Sequence, residues 1–347
     1  MKLLTLISRL LVGSLFIVSG LIKANDPLGF SYKLNDYFAP GVLDLPWLDP
    51  FALELSVFIC VAEIVLGVAI LFGSKMKLAS WSLLLMMVFF TFLTGYTAIG
   101  NWFFDNPEST TTLFFEDLFG FKARQDISYM KDCGCFGDAL KLDPWESFLK
   151  DVVLLVFSVI IFLKRKVVEP ADLKTDLTNL GVATGLVALF GLGVVSWAFP
   201  IWFSLVTFAV LLGLKHYTKL PAIDWMMALA ATVISTWFSI YCVRHLPIRD
   251  FRPYKVGNHL PSLITCPDDA PKDIYKNTWL YRVNGEVKEF ADEDKPWEID
   301  GAEFVDRESV LVQKGCEPPI HDFVLEGADG NDYTEDVLAE PYVFLVV

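Results

Sequence analysis

The apolar residues of this chain fall in long blocks separated by short charged or turn-forming stretches. Seven blocks are read as membrane-crossing helices: 3–22, 51–72, 78–99, 145–163, 177–198, 201–214 and 223–243, of which 201–214 is short, and if it does not cross, the C-terminal region changes sides. Pro200 falls between the fifth and sixth. With no backbone N–H to donate, it suits a turn between two spans better than the middle of one. Beyond residue 243 the pattern changes to prolines, turn residues and short alternating runs, the mark of a soluble region. The apolar run at the N-terminus follows Lys2, but 19–25 offers no small-x-small cleavage pattern, so it is read as a retained span rather than a signal peptide.

Basic residues order the loops. Lys75 and Lys77 follow the second span, Lys164, Arg165 and Lys166 the fourth, and Lys215, His216 and Lys219 the sixth. By the positive-inside rule these loops and the N-terminus are cytoplasmic, and an odd number of crossings places the C-terminal region outside. Arg244, Arg249, Arg252 and Lys255 after the last span run against the rule, which is weak ahead of a long domain.

Charge sharpens the division. The chain is 54% hydrophobic with net charge −14, and residues 244–347 hold 22 acidic against 11 basic residues, so −11 of that charge. An acidic soluble region argues against nucleic-acid binding. Within it, Trp279–Val283 and Glu286–Phe290 flank Asn284-Gly285, a hairpin signal with a tight primed turn. The runs 303–305 and 310–313 read as a further short strand pair. The stretch 318–325, with 342–347, resembles the opening of a thioredoxin-like domain.

The chemistry concentrates in the long connection 100–144, which ends Lys131-Asp-Cys133-Gly-Cys135-Phe-Gly-Asp138. Long loops inside a compact bundle are usually functional or disordered. Asp143 is placed to cap the fourth span, with Pro144 in its first turn, so the thiols lie close to a helix N-terminus that favours thiolate. A disulfide between Cys133 and Cys135 closes a very small, strained ring, and exposed strained disulfides exchange readily. Three blander readings stand beside exchange: a static bridge, bridges to other cysteines, or half of a metal site. The metal reading needs two further ligands, and the four histidines are distant in sequence, so no metal is expected.

The first span, Arg9-Leu-Leu-Val-Gly13 through Ser19-Gly20-Leu-Ile-Lys23 with Asp26-Pro27, the run Glu63-Ile-Val-Leu-Gly67 to Gly73, and the CGCFGD loop resemble the DoxX/MauE family of four-helix membrane proteins, in the form with a C-terminal extension found in Bacteroidota. The segment RHLPIRDFRPYKVG at 244–257 is part of that likeness. The resemblance implies a four-helix core over 1–165, to which this chain adds further spans over 166–246 and an external, periplasmic region over 247–347, the last part (315–347) being the thioredoxin-like stretch. The expected fold is therefore an all-α membrane bundle with a soluble C-terminal region, mainly β or α/β, in a bacterial inner membrane. The resemblance also implies thiol–disulfide chemistry linked to a quinone, with periplasmic protein thiols or a membrane-protein complex as partners.

Several charges lie inside the spans. Glu63 is ~18 Å along its span, near mid-membrane, where a carboxylate must be paired or protonated. Arg9 is read as its partner, a buried clasp between spans one and two. A proton-relay role for Glu63 is the alternative. Lys23, read at the external end of span one, either stabilises a thiolate at Cys133 or Cys135 or snorkels as a terminal lysine. The stripe Met86, Met87, Phe89, Phe90, Phe92 and Tyr96 either lines a quinone pocket or packs against neighbours. Cys60 and Cys242 are read as packing residues. Cys266 and Cys316 are read as bridging each other outside the membrane, the alternative being that they receive electrons from Cys133 and Cys135.

Three functions follow: a membrane thiol–disulfide oxidoreductase using Cys133 and Cys135 with Lys23 and Glu63, a non-catalytic anchoring or assembly subunit, and, least supported, a transporter.

Overall fold

The computed structural model describes residues 2–120, 122, 136–168, 171–218, 222–267, 269–272, 274–283, 285–291, 294–299, 301–313, 315–316, 318–320 and 323–340. The chain divides into two compact units, 1–251 and 252–347.

The first unit is helical. Its elements are α1 (Lys2–Asn25), α2 (Pro27–Phe38), α3 (Ala52–Phe72), α4 (Met76–Asp105), α5 (Thr110–Phe119), α6 (Pro144–Lys164), α7 (Leu173–Gly193), α8 (Phe199–Tyr217) and α9 (Ile223–His245). Six of these, α1, α3 with the 3-10 turn leading into it, α4, α7, α8 and α9, are long and apolar enough to cross a membrane. The region read as the fourth span forms α6, which has the length but carries Glu146, Lys150 and Asp151 in its first two turns. Phe92, Trp202, Leu229 and Trp237 are exposed on the outer helix faces. Apolar area of this extent calls for lipid, so the unit is a membrane bundle in contact with a bilayer.

Pro200 sits in the first turn of α8, where its missing N–H costs nothing. Asp143 precedes Pro144 as expected of a cap, but its side chain makes no capping bond; its backbone carbonyl accepts from the Ser147 N–H at 3.0 Å instead. The expected loop from residue 100 begins with helix. α4 continues to Asp105, and α5 starts where the Ser109 side chain accepts from the Thr112 N–H at 3.1 Å. Polar side chains capped the chain where hydropathy alone predicted a connection.

α1 is central. It packs against α3, α6, α7 and α9, and a layer of Val12, Phe16, Ile70, Leu83, Met87 and Ile161 closes the half of the bundle nearest the N-terminus. The approach of α1 to α3 depends on missing side chains. A Cβ on Gly67 would lie 2.7 Å from the Gly13 carbonyl oxygen, and one on Gly20 only 2.8 Å from Ile64.

The opposite half is built differently. α3 extends well past the end of α1, and α2 folds over that end: the Ser56 hydroxyl donates to the Pro27 carbonyl at 2.7 Å, and the Tyr37 and Thr97 hydroxyls pair at 3.1 Å. After α9 the chain is held to the end of α1. The Asn25 amide donates to the Arg249 carbonyl at 2.7 Å, and the Arg249 N–H donates back to the Asn25 side-chain oxygen at 3.2 Å.

The second unit contains a three-stranded antiparallel sheet of β1 (Ile274–Val283), β2 (Glu286–Ala291) and β3 (Glu303–Gln313) in the order β2-β1-β3. Val283 pairs with Glu286 across the tight turn, with Gly285 at φ 85°. β3 is one continuous edge strand, not the expected short pair. Its polar stretch from Asp306 to Ser309 mimics a turn in sequence but pairs with Asn277–Leu280, with a register shift next to Tyr281. Beyond β3, the described part of the stretch read as thioredoxin-like holds a bridge between Glu326 and Asp332 and a short helix, α11 (Thr334–Leu338), which follows α10 (Leu260–Ile264). Residues 342–347 of that reading lie outside the described residues.

A disulfide joins Cys266 and Cys316, with Cα atoms 6.2 Å apart. The Cys316 N–H donates to the Pro271 carbonyl at 2.8 Å and the Ile320 N–H to Leu263 at 3.0 Å, so the end of the sheet is fastened to α10.

Candidate functional site

The glycine contacts of α1 and α3 bring two opposite charges together inside the bundle. The Lys23 ammonium donates to Glu63 Oε1 at 2.6 Å and to the Ser19 hydroxyl at 2.8 Å. The two charged side chains are only 4% and 1% exposed. Lys23 also lies over the rings of Phe90 and Phe30, at 5.0 and 5.7 Å from their centroids. The ammonium thus has a carboxylate, a hydroxyl and two aromatic faces around it, which offsets the cost of removing it from water.

Arg9 is not the partner of Glu63. Its guanidinium donates at 2.9 Å to each of the carbonyls of Ile70 and Leu71, at the C-terminal end of α3. The reason is axial level. α1 and α3 run antiparallel, so Arg9, early in α1, meets the last turn of α3, whose carbonyl end attracts a cation. Lys23 meets the middle of α3 because α3 continues beyond α1. The same offset places Lys23 beneath α2 rather than at the outer rim.

Glu63 Oε2 is buried and accepts no hydrogen bond from the described residues. A buried carboxylate oxygen without a donor ordinarily costs about 1–3 kcal/mol or more.

The pair forms one wall of a narrow pocket between α1, α2, α3, α4 and α6, with about 680 Å³ of space not filled by atoms when the open solvent at its mouth is included. Phe30, Leu34, Ile59, Phe89, Phe90 and Leu93 are among its apolar lining. On the α4–α6 side lies a second pair, with Asp151 buried and Lys150 partly exposed: Lys150 donates to Asp151 Oδ1 at 2.5 Å, and the Thr94 hydroxyl donates to Asp151 Oδ2 at 3.2 Å. Gly95 lets this wall close, since a Cβ there would lie 2.9 Å from the Phe148 ring. Lys150 also lies 5.0 Å from the centroid of Phe136, which lines the pocket too.

Of the aromatic stripe predicted from α4, Met87, Phe89 and Phe90 reach the pocket. Phe92 faces outward, Met86 packs at the inner layer, and the Tyr96 hydroxyl donates to the Val42 carbonyl at 2.7 Å. Cys60 and Cys242 are free and buried. Cys133 and Cys135, the expected redox pair, lie outside the described residues, but Phe136 follows Cys135 directly in the chain.

Two polar clusters escaped the sequence reading. Lys150 and Asp151 were read as part of an ordinary span, although two adjacent opposite charges within a predicted span are a detectable signal. At the end of the bundle nearest the N-terminus, buried Asp176 Oδ2 accepts from Lys215 at 2.6 Å and lies 2.8 Å from His216 Nε2. No local spacing joins residues forty positions apart on different helices.

Residues 1–102 match the model of the family described as Methylamine utilisation protein MauE, a DoxX-like membrane family. Residues 275–314, covering most of the sheet, match a domain of unknown function, DUF8463. No curated protein and no solved structure matches the chain.

Proposed function

We propose that this chain is a membrane thiol–disulfide redox protein that couples the Cys133/Cys135 pair to a quinone held in the pocket between α1, α2, α3, α4 and α6. The observation that carries this reading is Phe136. It lines the apolar, doubly ion-paired pocket and is covalently attached to Cys135. The name of the family matched over 1–102 concerns methylamine utilisation, and the likeness to DoxX/MauE proteins supports a redox role.

The residues present fit such a cofactor. The aromatic and aliphatic walls suit a flat apolar ring. Lys23 and Lys150 bring donors to the pocket, and Glu63 and Asp151 bring acceptors. Glu63 Oε2, buried without a donor among the described residues, gives a ligand group a reason to enter. A bound quinone supplies an acceptor for two electrons and two protons. The chain's own part is to exclude water, hold the ring, and keep carboxylates where protons arrive.

On the thiol side, a partner thiolate attacks the Cys133–Cys135 disulfide to form a mixed disulfide, and a second partner thiol resolves it. The partner leaves oxidised. Cys133 and Cys135 are left as a dithiol carrying the two electrons and two protons that the quinone accepts. In this reading the N-terminus and the basic loops are cytoplasmic, and the thiols and the C-terminal unit are periplasmic.

Single Cys133→Ala and Cys135→Ala variants test the reading by mixed-disulfide trapping. One variant should accumulate an adduct with a protein thiol and the other should not. No adduct from either, with undiminished cellular function, would point to the anchoring role instead.

A further inference from the structure

We infer that the pocket binds the reduced, hydroxyl-bearing form of a quinone more tightly than the oxidised form, and that Glu63 creates this preference. The inference rests on the quinone reading above and names which redox state the site favours.

The argument turns on donors and acceptors at one wall. Glu63 Oε1 is occupied by Lys23, while Oε2 is buried and receives no hydrogen bond from the described residues. An ionised carboxylate is an acceptor only, so a ligand must bring a donor to satisfy Oε2. Lys23 has three N–H bonds and directs two of them to Glu63 Oε1 and the Ser19 hydroxyl. A carbonyl or ether oxygen at this wall has lone pairs to offer Lys23 but nothing for Oε2. A phenolic hydroxyl offers both: its proton to Oε2 and its lone pair to Lys23. The rings of Phe30 and Phe90 beside the ammonium favour an aromatic body behind that hydroxyl.

The consequence is a thermodynamic bias. A site that holds the reduced form more tightly raises the potential of the bound couple above that of the free pool, by about 30 mV for each tenfold preference in a two-electron couple. The bound quinone is thereby a stronger acceptor for electrons from a dithiol.

The test is equilibrium binding to the purified full-length protein in nanodiscs, read by quenching of tryptophan fluorescence. The probes are 2-methyl-1,4-naphthoquinone, its hydroquinone kept anaerobic, and the dimethyl ether of that hydroquinone. The hydroquinone should bind at least about tenfold more tightly than either other probe, the increment for one added hydrogen bond to a charged group. Glu63→Gln should abolish this preference. The wild-type comparison of hydroquinone with ether keeps the test intact should that variant fold poorly. Equal affinity for all three probes, as when a retained water serves Oε2, would overturn the inference and leave the quinone reading standing. Binding of none of them would overturn both.

Discussion

The ammonium of Lys23 lies 2.6 Å from Glu63 Oε1, with both side chains almost wholly removed from solvent. This contact joins the end of α1 to the middle of α3 and fixes one wall of the pocket. Removing one member of a buried pair strands the other charge. Glu63→Ala should therefore cost about 3–5 kcal/mol of stability, while the double replacement Lys23→Leu/Glu63→Leu should recover much of that loss. Unfolding of the purified protein in detergent checks both. Equal loss for single and double variants would show that the pair acts through something other than charge compensation.

The pair meets only because two backbones approach closely. At Gly67 a Cβ would strike the Gly13 carbonyl oxygen, which has no side-chain freedom to move aside. Gly67→Val should destabilise the bundle by roughly 1–3 kcal/mol or more, and should weaken quinone-analogue binding by displacing Glu63. Gly213, in α8, has nothing near its would-be Cβ. Gly213→Ala should be neutral or stabilising by up to about 1 kcal/mol. The contrast between the two, measured in one assay, isolates packing from helix propensity.

Arg9 completes the last turn of α3 through the carbonyls of Ile70 and Leu71. Arg9→Met keeps the apolar stem and removes the donors; the Ile70 carbonyl keeps the Gly73 N–H, while the Leu71 carbonyl loses its donor at a cost of about 1–3 kcal/mol. Because Arg9 does not touch Glu63, a double-mutant cycle between Arg9→Met and Glu63→Gln should be additive within about 0.5 kcal/mol.

In the C-terminal unit, Cys266 and Cys316 close a loop with a sequence separation of 50. Chain entropy assigns such a link about 4 kcal/mol. Cys266→Ser/Cys316→Ser should lower the stability of this unit by that order, with little effect on the membrane bundle. Protease sensitivity of 252–347 reports it directly.

Acid should loosen the turn at 325–334. Tyr333 and Asn331 donate to Asp329, and Thr334 donates to Asp332, holding both carboxyls below the ordinary carboxylate value. A lowered folded-state pKa gives stabilisation that is present above the unfolded value of about 3.9 and is lost as pH falls through the folded value. The protection factors of the Asn331 and Thr334 amides, exchange rates corrected for the intrinsic pH dependence, should fall below about pH 4 and stay flat from there to neutrality.

Much of this architecture was legible in the residues themselves. Blocks of about twenty apolar residues have one economical solution in lipid, the helix, so 3–22, 51–72 and 78–99 announced α1, α3 and α4. The step to an acidic, turn-rich tail marked the soluble unit, and the run around Gly285 marked its hairpin. The presence of Glu63 in a span already required a partner, since a lone carboxylate there is costly. Which partner it takes is a matter of axial offset between helices, and offset is set by where α2 folds over α1 and by how closely Gly13, Gly20 and Gly67 let two backbones meet. Hydropathy has no term for that offset. It therefore pointed to Arg9, the charge in the neighbouring span, where the fold chose Lys23. For the same reason Lys150, Asp151 and Thr94 converge on one pocket, and Asp176 meets Lys215 and His216, only once helices distant in the chain lie side by side.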